Sequence, residues 1–199
     1  EARYSLCGNA AVLPESLGQM CKMYKLPVAT LIMHGHHINS PFWNTGDRGV
    51  KNCEAVFTRL FSREELAACS VEEINAKIRE KFTYDDFAWQ KERNILVKHK
   101  NRALGLHKVL YQCPHCGAEY KMTSKGAFLI CLSCGKRWIM EENGTLRAEE
   151  GKTEFSHIPD WYEWERENVR GEVIAGVYGI SLPVTVDSLP NSRKFIRLG

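Results

Sequence analysis

The chain has 199 residues, 44% of them hydrophobic and 26% charged, and a formal net charge of +3. That size and balance suit one generous or two modest soluble domains with a buried core, and they exclude disorder, collagen and coiled coil. The charge is too mild to announce a nucleic-acid or membrane partner. The longest strongly apolar run, Val28 to Met33, is far shorter than the ~20 residues of a membrane-spanning helix, and no signal peptide opens the chain. The expected location is cytoplasmic, at most peripheral on the inner face of the membrane.

The chain starts at Glu1 rather than Met, and Ser192 to Leu198 reads as a strand with no partner to follow it, so an internal piece of a larger protein is expected. From Leu13 to Leu26, Pro14 suits a first helical turn, and Leu17, Met20, Cys21 and Tyr24 recur at three- and four-residue steps, predicting an amphipathic helix that Pro27 stops. Val28 to Met33 is short and continuously apolar, the pattern of a buried parallel strand, so the fold is expected to begin as α/β. Val50 to Leu60 offers a further strand. Ser62 with Glu65, and Ser70 with Glu73, are capping-box signatures that each start a helix, the second made amphipathic by Val71, Ile74, Ile78 and Phe82. Tyr84 to Ile95 predicts another helix, and Lys98 to Lys108 a basic connector.

Four of the eight cysteines, Cys113, Cys116, Cys131 and Cys134, form C-x2-C-x14-C-x2-C, each pair followed by glycine. A two-residue spacing lets both sulfurs of a tight turn point one way, and two such knuckles facing each other make a closed tetrahedral thiolate site, the spacing of a zinc ribbon. Glu119 to Ile130, with its polar centre Thr123 to Gly126, suits a hairpin between the knuckles. Two disulfides or a redox pair are the rival readings, disfavoured in a chain without secretory features. Four thiolates leave no open position, so the zinc is expected to be structural, with His115 exposed beside it. Cys7, Cys21, Cys53 and Cys69 follow no metal spacing and read as small buried hydrophobes.

Beyond the ribbon, Trp161, Tyr162 and Trp164 sit among Asp160, Glu163, Glu165 and Glu167, acids that anionic lipid would repel, so the aromatics are expected to dock in a core or against the ribbon. Lys91, Arg93, Lys98, Lys100, Arg102 and Lys108 could meet anionic headgroups or RNA, but a solvated face is the plainer reading, and nucleic acid is not an expected partner. Glu172 to Val186, rich in β-formers with Gly and Pro, reads as the start of a β-rich domain. The expected division is 1–108, 109–150 and 151–199.

The opening Glu1-Ala2-Arg3-Tyr4-Ser5, a helix, and then Leu26-Pro27-Val28 leading an apolar strand resemble the phospholipid/glycerol acyltransferase family of the lysophosphatidate acyltransferase type. In that family a Phe-Pro-Glu-Gly-Thr-Arg-Ser block precedes such a helix and strand. Glu1 and Ser5 match the block, while Ala2, Arg3 and Tyr4 stand where it has Gly, Thr and Arg. The later sequence, with its ribbon and Glu154 to Glu167, is similar to a bacterial subgroup that carries a zinc ribbon behind the acyltransferase domain. The resemblance implies acyl transfer from acyl-CoA or acyl-carrier protein to a glycerol-phosphate lipid in phospholipid biosynthesis, with Glu1, Arg3 and Ser5 at the acceptor phosphate and Arg3 substituting for the family's arginine.

The family's general base is the histidine of a His-x4-Asp motif. Five positions after His34, His36, His37, His99, His107, His115 and His157 stand Asn39, Pro41, Phe42, Leu104, Gln112, Tyr120 and Tyr162, so the motif is missing and is expected upstream of Glu1. His34-Gly35-His36-His37 follows the apolar strand, and ligands gather at strand ends of open α/β sheets, which makes His34 and His36 candidate substrate contacts. The rival function is a ribbon-centred nucleic-acid- or protein-binding module on a degenerate acyltransferase-like scaffold.

Overall fold

The computed structural model describes residues 5–46, 48–50, 53–181, 183–184, 186–188 and 196–198. Two compact units divide the chain, Glu1–Glu165 and Arg166–Gly199.

In the first unit, α1 (Ser16–Tyr24) contains the periodic Leu17, Met20, Cys21 and Tyr24 but starts after Pro14, with Glu15 at its N-cap, and ends at Lys25, whose left-handed backbone returns its N–H to the carbonyl of Cys21 at 3.1 Å. β1 (Val28–His34) follows, then the single turn α2 (His36–Asn39), and then β2 (Glu54–Phe61). Helices α3 (Arg63–Ala68) and α4 (Val71–Lys81) both begin with complete capping boxes. Ser70 Oγ accepts the Glu73 N–H at 3.1 Å while Glu73 accepts the Ser70 N–H at 2.7 Å. Leu60, Phe61, Leu66, Ile74 and Ile78 form a small core with Leu13, Leu17, Cys21 and Val28 against it. Asn75 ties α1 to α4: its side chain accepts the Gly18 N–H at 2.7 Å and donates to the Glu15 carbonyl at 2.7 Å.

The strand β1 is neither parallel nor buried on both faces. It pairs antiparallel with β2, with Leu31 opposite Phe57 and Met33 opposite Ala55. Leu31 is 55% and Phe57 72% exposed, whereas Thr30 on the opposite face is buried. A run of apolar residues records hydrophobicity on both faces but not the partner strand, and here the partner is the next strand in sequence. Mixed helices and sheets are present as expected, but every pairing among the described strands is antiparallel.

The second core of this unit begins around α5 (Asp86–Glu92) and runs into a four-stranded antiparallel sheet of β3 (Met122–Lys125), β4 (Phe128–Cys131), β5 (Arg137–Met140) and β6 (Leu146–Ala148), in sequential order. Alternation is regular. Met122, Leu129, Cys131, Trp138, Met140, Leu146 and Ala148 point inward, while Lys125, Arg137 and Arg147 point outward. The inner face packs on Cys7, Ile38, Trp43, Phe87, Leu106, Leu110, Ile158 and Trp161, so the sheet and the segment before it share one core. Trp161 lies at the start of α6 (Ile158–Ile174), its ring 5.1 Å from that of Trp138, which places this aromatic in a core as its acidic surroundings suggest.

In the second unit, Val173 and Ile174 complete α6 instead of opening a β segment, and β7 (Val186–Ser188) pairs antiparallel with β8 (Ile196–Leu198). The final strand therefore has a partner. Of the strand expected over Ser192 to Leu198, residues 192–195 lie outside the described residues. No helix among the described residues is long and apolar enough to cross a membrane.

Candidate metal centre

The two Cys-x2-Cys turns close in the same way. In the first, the Gly117 N–H donates to the Cys113 carbonyl at 2.9 Å and the Cys113 N–H to the Ala118 carbonyl at 3.0 Å. In the second, the Gly135 N–H donates to the Cys131 carbonyl and the Cys131 N–H to the Lys136 carbonyl, both at 2.9 Å. Gly117 and Gly135 have φ of 74° and 76°, the left-handed region that favours glycine, with no neighbouring atom crowding either position. Backbone handedness alone accounts for these glycines. The hairpin that joins the knuckles turns at Gly126 and Ala127, at the end of the polar stretch that predicts it.

The four sulfurs come together. Their ligand atoms all lie within 4.8 Å of one another, with Cys113 Sγ 3.8 Å from Cys134 Sγ and Cys116 Sγ 3.8 Å from Cys131 Sγ. All four cysteines are free, and these separations are about twice the ~2.05 Å of a disulfide bond. An ion at the usual zinc–thiolate distance of ~2.3 Å from four tetrahedral sulfurs requires S···S edges of ~3.8 Å, so the donor set fits such an ion. Cys113 and Cys131 are buried, while Cys116 and Cys134 are exposed. Burial pushes the Cys113 thiol well up, and the backbone N–H of Ala118 draws Cys116 down to about 7. With no cation between them, the sulfurs cannot all hold negative charge; a divalent ion reverses that preference and releases their protons.

The centre is braced from α6. Trp161 Nε1 donates to the Gln112 carbonyl at 3.0 Å, and Glu165 Oε1 accepts the Gln112 N–H at 2.9 Å, so both backbone polar groups of the residue ahead of Cys113 are held by one helix. His115 is not among the clustered ligand atoms: its Nδ1 lies 3.2 Å from Glu154 Oε1, and its side chain is 55% exposed. Lys136 lies 2.6 Å from the same oxygen. Among the other cysteines, Cys7 is buried and Cys21 and Cys69 half-buried, but Cys53 is exposed, contrary to its reading as a buried hydrophobe.

Of the residues assigned to substrate, Glu1 and Arg3 lie outside the described residues, as does Tyr4. Ser5 is described, and its hydroxyl donates to Asn9 Oδ1 within a tight turn whose Ser5 N–H also reaches the Asn9 carbonyl at 2.7 Å. His34 ends β1 with its ring stacked 5.4 Å from that of Trp89 and 4.9 Å from Tyr84. His36 is exposed on α2. Three backbone donors of this loop are already taken. Asp86, fully buried, accepts the N–H groups of Gly35 at 2.7 Å, His37 at 2.9 Å and Ile38 at 3.2 Å. Asp86 and Glu165 escape sequence reasoning because each stands among other acids, and only burial sets it apart.

No protein-family model, no curated protein and no solved structure matches this chain.

Proposed function

We propose that this chain is a zinc-braced part of an acyltransferase that moves an acyl group from acyl-CoA or acyl-carrier protein to a glycerol-phosphate lipid. The observation that carries the zinc is the four-sulfur cluster, its ligand atoms all within 4.8 Å of one another and two of its edges at 3.8 Å. Four thiolates close the coordination sphere, so the metal supplies folding energy and no chemistry. Because Leu129, Trp138 and Met140 on the inner face of the sheet are spent on a core shared with α5 and α6, a bracing role is better supported than a free-standing ribbon that binds nucleic acid or protein.

The acyl-transfer reading rests on the likeness of Glu1 to Ser5 and Leu26-Pro27-Val28 to the acyltransferase blocks. In this reading Glu1, Arg3 and Ser5 serve the acceptor phosphate, His34 and His36 border the site at the end of β1, and a His-x4-Asp histidine that this sequence does not contain removes the proton from the acceptor hydroxyl. The test is steady-state kinetics on a protein that carries this sequence together with such a motif. Arg3→Ala should raise KM for lysophosphatidate about tenfold or more while leaving KM for the acyl donor unchanged, since only the acceptor brings a phosphate to this block. Equal loss for both substrates, or no transfer by the intact protein, rejects the reading.

A further inference from the structure

Arg48 is only 7% exposed. Its backbone N–H donates to the Asn39 carbonyl at 3.0 Å, and the Val50 N–H donates to Asn39 Oδ1 at 2.8 Å, which pins this loop to the end of α2. Its guanidinium carbon lies 6.0 Å from the centre of the Trp43 ring. Both Nε and Nη2 are buried without a hydrogen-bond partner among the described residues. These two nitrogens form one edge of the planar guanidinium, with parallel N–H bonds, the edge that grips two oxygens of an oxyanion at once. Burial lowers the guanidinium to about 10, which leaves it cationic at neutral pH. A buried cation with an open two-donor edge is costly unless something accepts from it.

Two neighbours share the same want. Among the described residues, Trp43 Nε1 has no partner, its residue being 4% exposed, and neither has Nε2 of His37, which is 3% exposed. The rings of His37 and Trp43 are 5.1 Å apart. The turn that starts at Ser5 presses on the same histidine, since a Cβ on Gly8 would fall 2.6 Å from His37 Cδ2. Among the described residues, Asp86 holds the amides of Gly35, His37 and Ile38, and Asp85 accepts from the Ala88 N–H at 2.8 Å and lies 2.6 Å from His157 Nε2.

We propose that Arg48, with Trp43 and His37 beside it, is the binding site of a phosphate group, taken side-on by Nε and Nη2. A tetrahedral phosphate keeps oxygens outside the plane of the fork for a further donor such as Trp43 Nε1, whereas a bidentate carboxylate has only in-plane lone pairs left on the two oxygens that the fork already uses. The site stands independently of the acyl-transfer reading, and its phosphate can be the free ion or a monoester.

The test follows the intact chain by nitrogen-resolved NMR, titrated with inorganic phosphate and separately with glycerol 3-phosphate at constant ionic strength. Saturable shifts of Arg48 Nε–H and Trp43 Nε1–H are expected. So is a rise in the titration midpoint of His37, which burial and then the Arg48 charge hold at about 4 against the opposing field of Asp85. Tighter binding of glycerol 3-phosphate identifies a monoester site, and equal or weaker binding identifies a site for the phosphate group alone. Arg48→Lys keeps the charge and loses the fork, so affinity should fall about tenfold. Because replacing a buried residue can itself unfold this loop, the wild-type resonances decide: if neither ligand moves Arg48 Nε–H, the proposal is overturned. A folded Arg48→Lys variant that binds as tightly as the wild type overturns it equally.

Discussion

Glu165 Oε1 accepts the backbone N–H of Gln112 at 2.9 Å, so a carboxyl on α6 holds the residue that leads into the first metal-site cysteine. Burial pushes Glu165 up from 4.5 to about 8 against the pull of that same hydrogen bond. The folded protein thus keeps a proton that the unfolded chain gives up. Its contribution to stability is fully present below about 4.5 and is lost as pH rises through about 8. Glu165→Gln keeps an acceptor for Gln112 and removes the titration. Its melting temperature relative to wild type should therefore rise between about pH 6 and about pH 9, while a difference that is flat across this range would mean that the carboxyl is not protonated in the fold.

Asp86 is the strongest polar tie in the loop after β1, with three buried amides on one carboxylate. Asp86→Ala leaves those donors without an acceptor and should cost about 3 kcal/mol or more in urea unfolding. Asp86→Asn keeps one good acceptor and should lose less. An alanine variant within about 0.5 kcal/mol of wild type would show that water takes over the amides and that the loop does not depend on Asp86.

Much of this was legible in the residues because the signals are local. The glycine-terminated cysteine pairs, the two capping boxes and the periodicity of α1 and α4 each need only a few neighbouring positions, and each forms where its pattern lies. Long-range relations were not legible. The apolar run of β1 does not say that Phe57 will stand opposite Leu31, and so it reads as a parallel core strand. Asp86 looks like its neighbour Asp85 until its partners, about fifty positions away, are known; Glu165 looks like one more solvated acid until Trp161 carries it into the core. Arg48 has no sequence signature at all, since its interest lies in burial without an acceptor.

The chain as it stands should not transfer acyl groups. None of its seven histidines is followed five positions later by aspartate, and positioning an acceptor cannot replace the base that deprotonates it. Incubation of the purified chain with radiolabelled acyl-CoA and lysophosphatidate is expected to give no phosphatidate above the uncatalysed background. Robust turnover would place the catalytic base among residues of this sequence and discard the family likeness as its guide.

We propose that Cys113, Cys116, Cys131 and Cys134 hold one structural zinc ion, which X-ray absorption at the zinc edge and elemental analysis of the purified protein can decide. The expected result is about one zinc per chain with a single shell of four sulfurs at ~2.3 Å and no nitrogen or oxygen ligand. Cys131→Ser should lose the metal and, with it, the protection of β3 to β6 against amide exchange. A metal-free protein that keeps the sheet intact, or a metal bound by water in place of one sulfur, would rule out a closed four-thiolate zinc site.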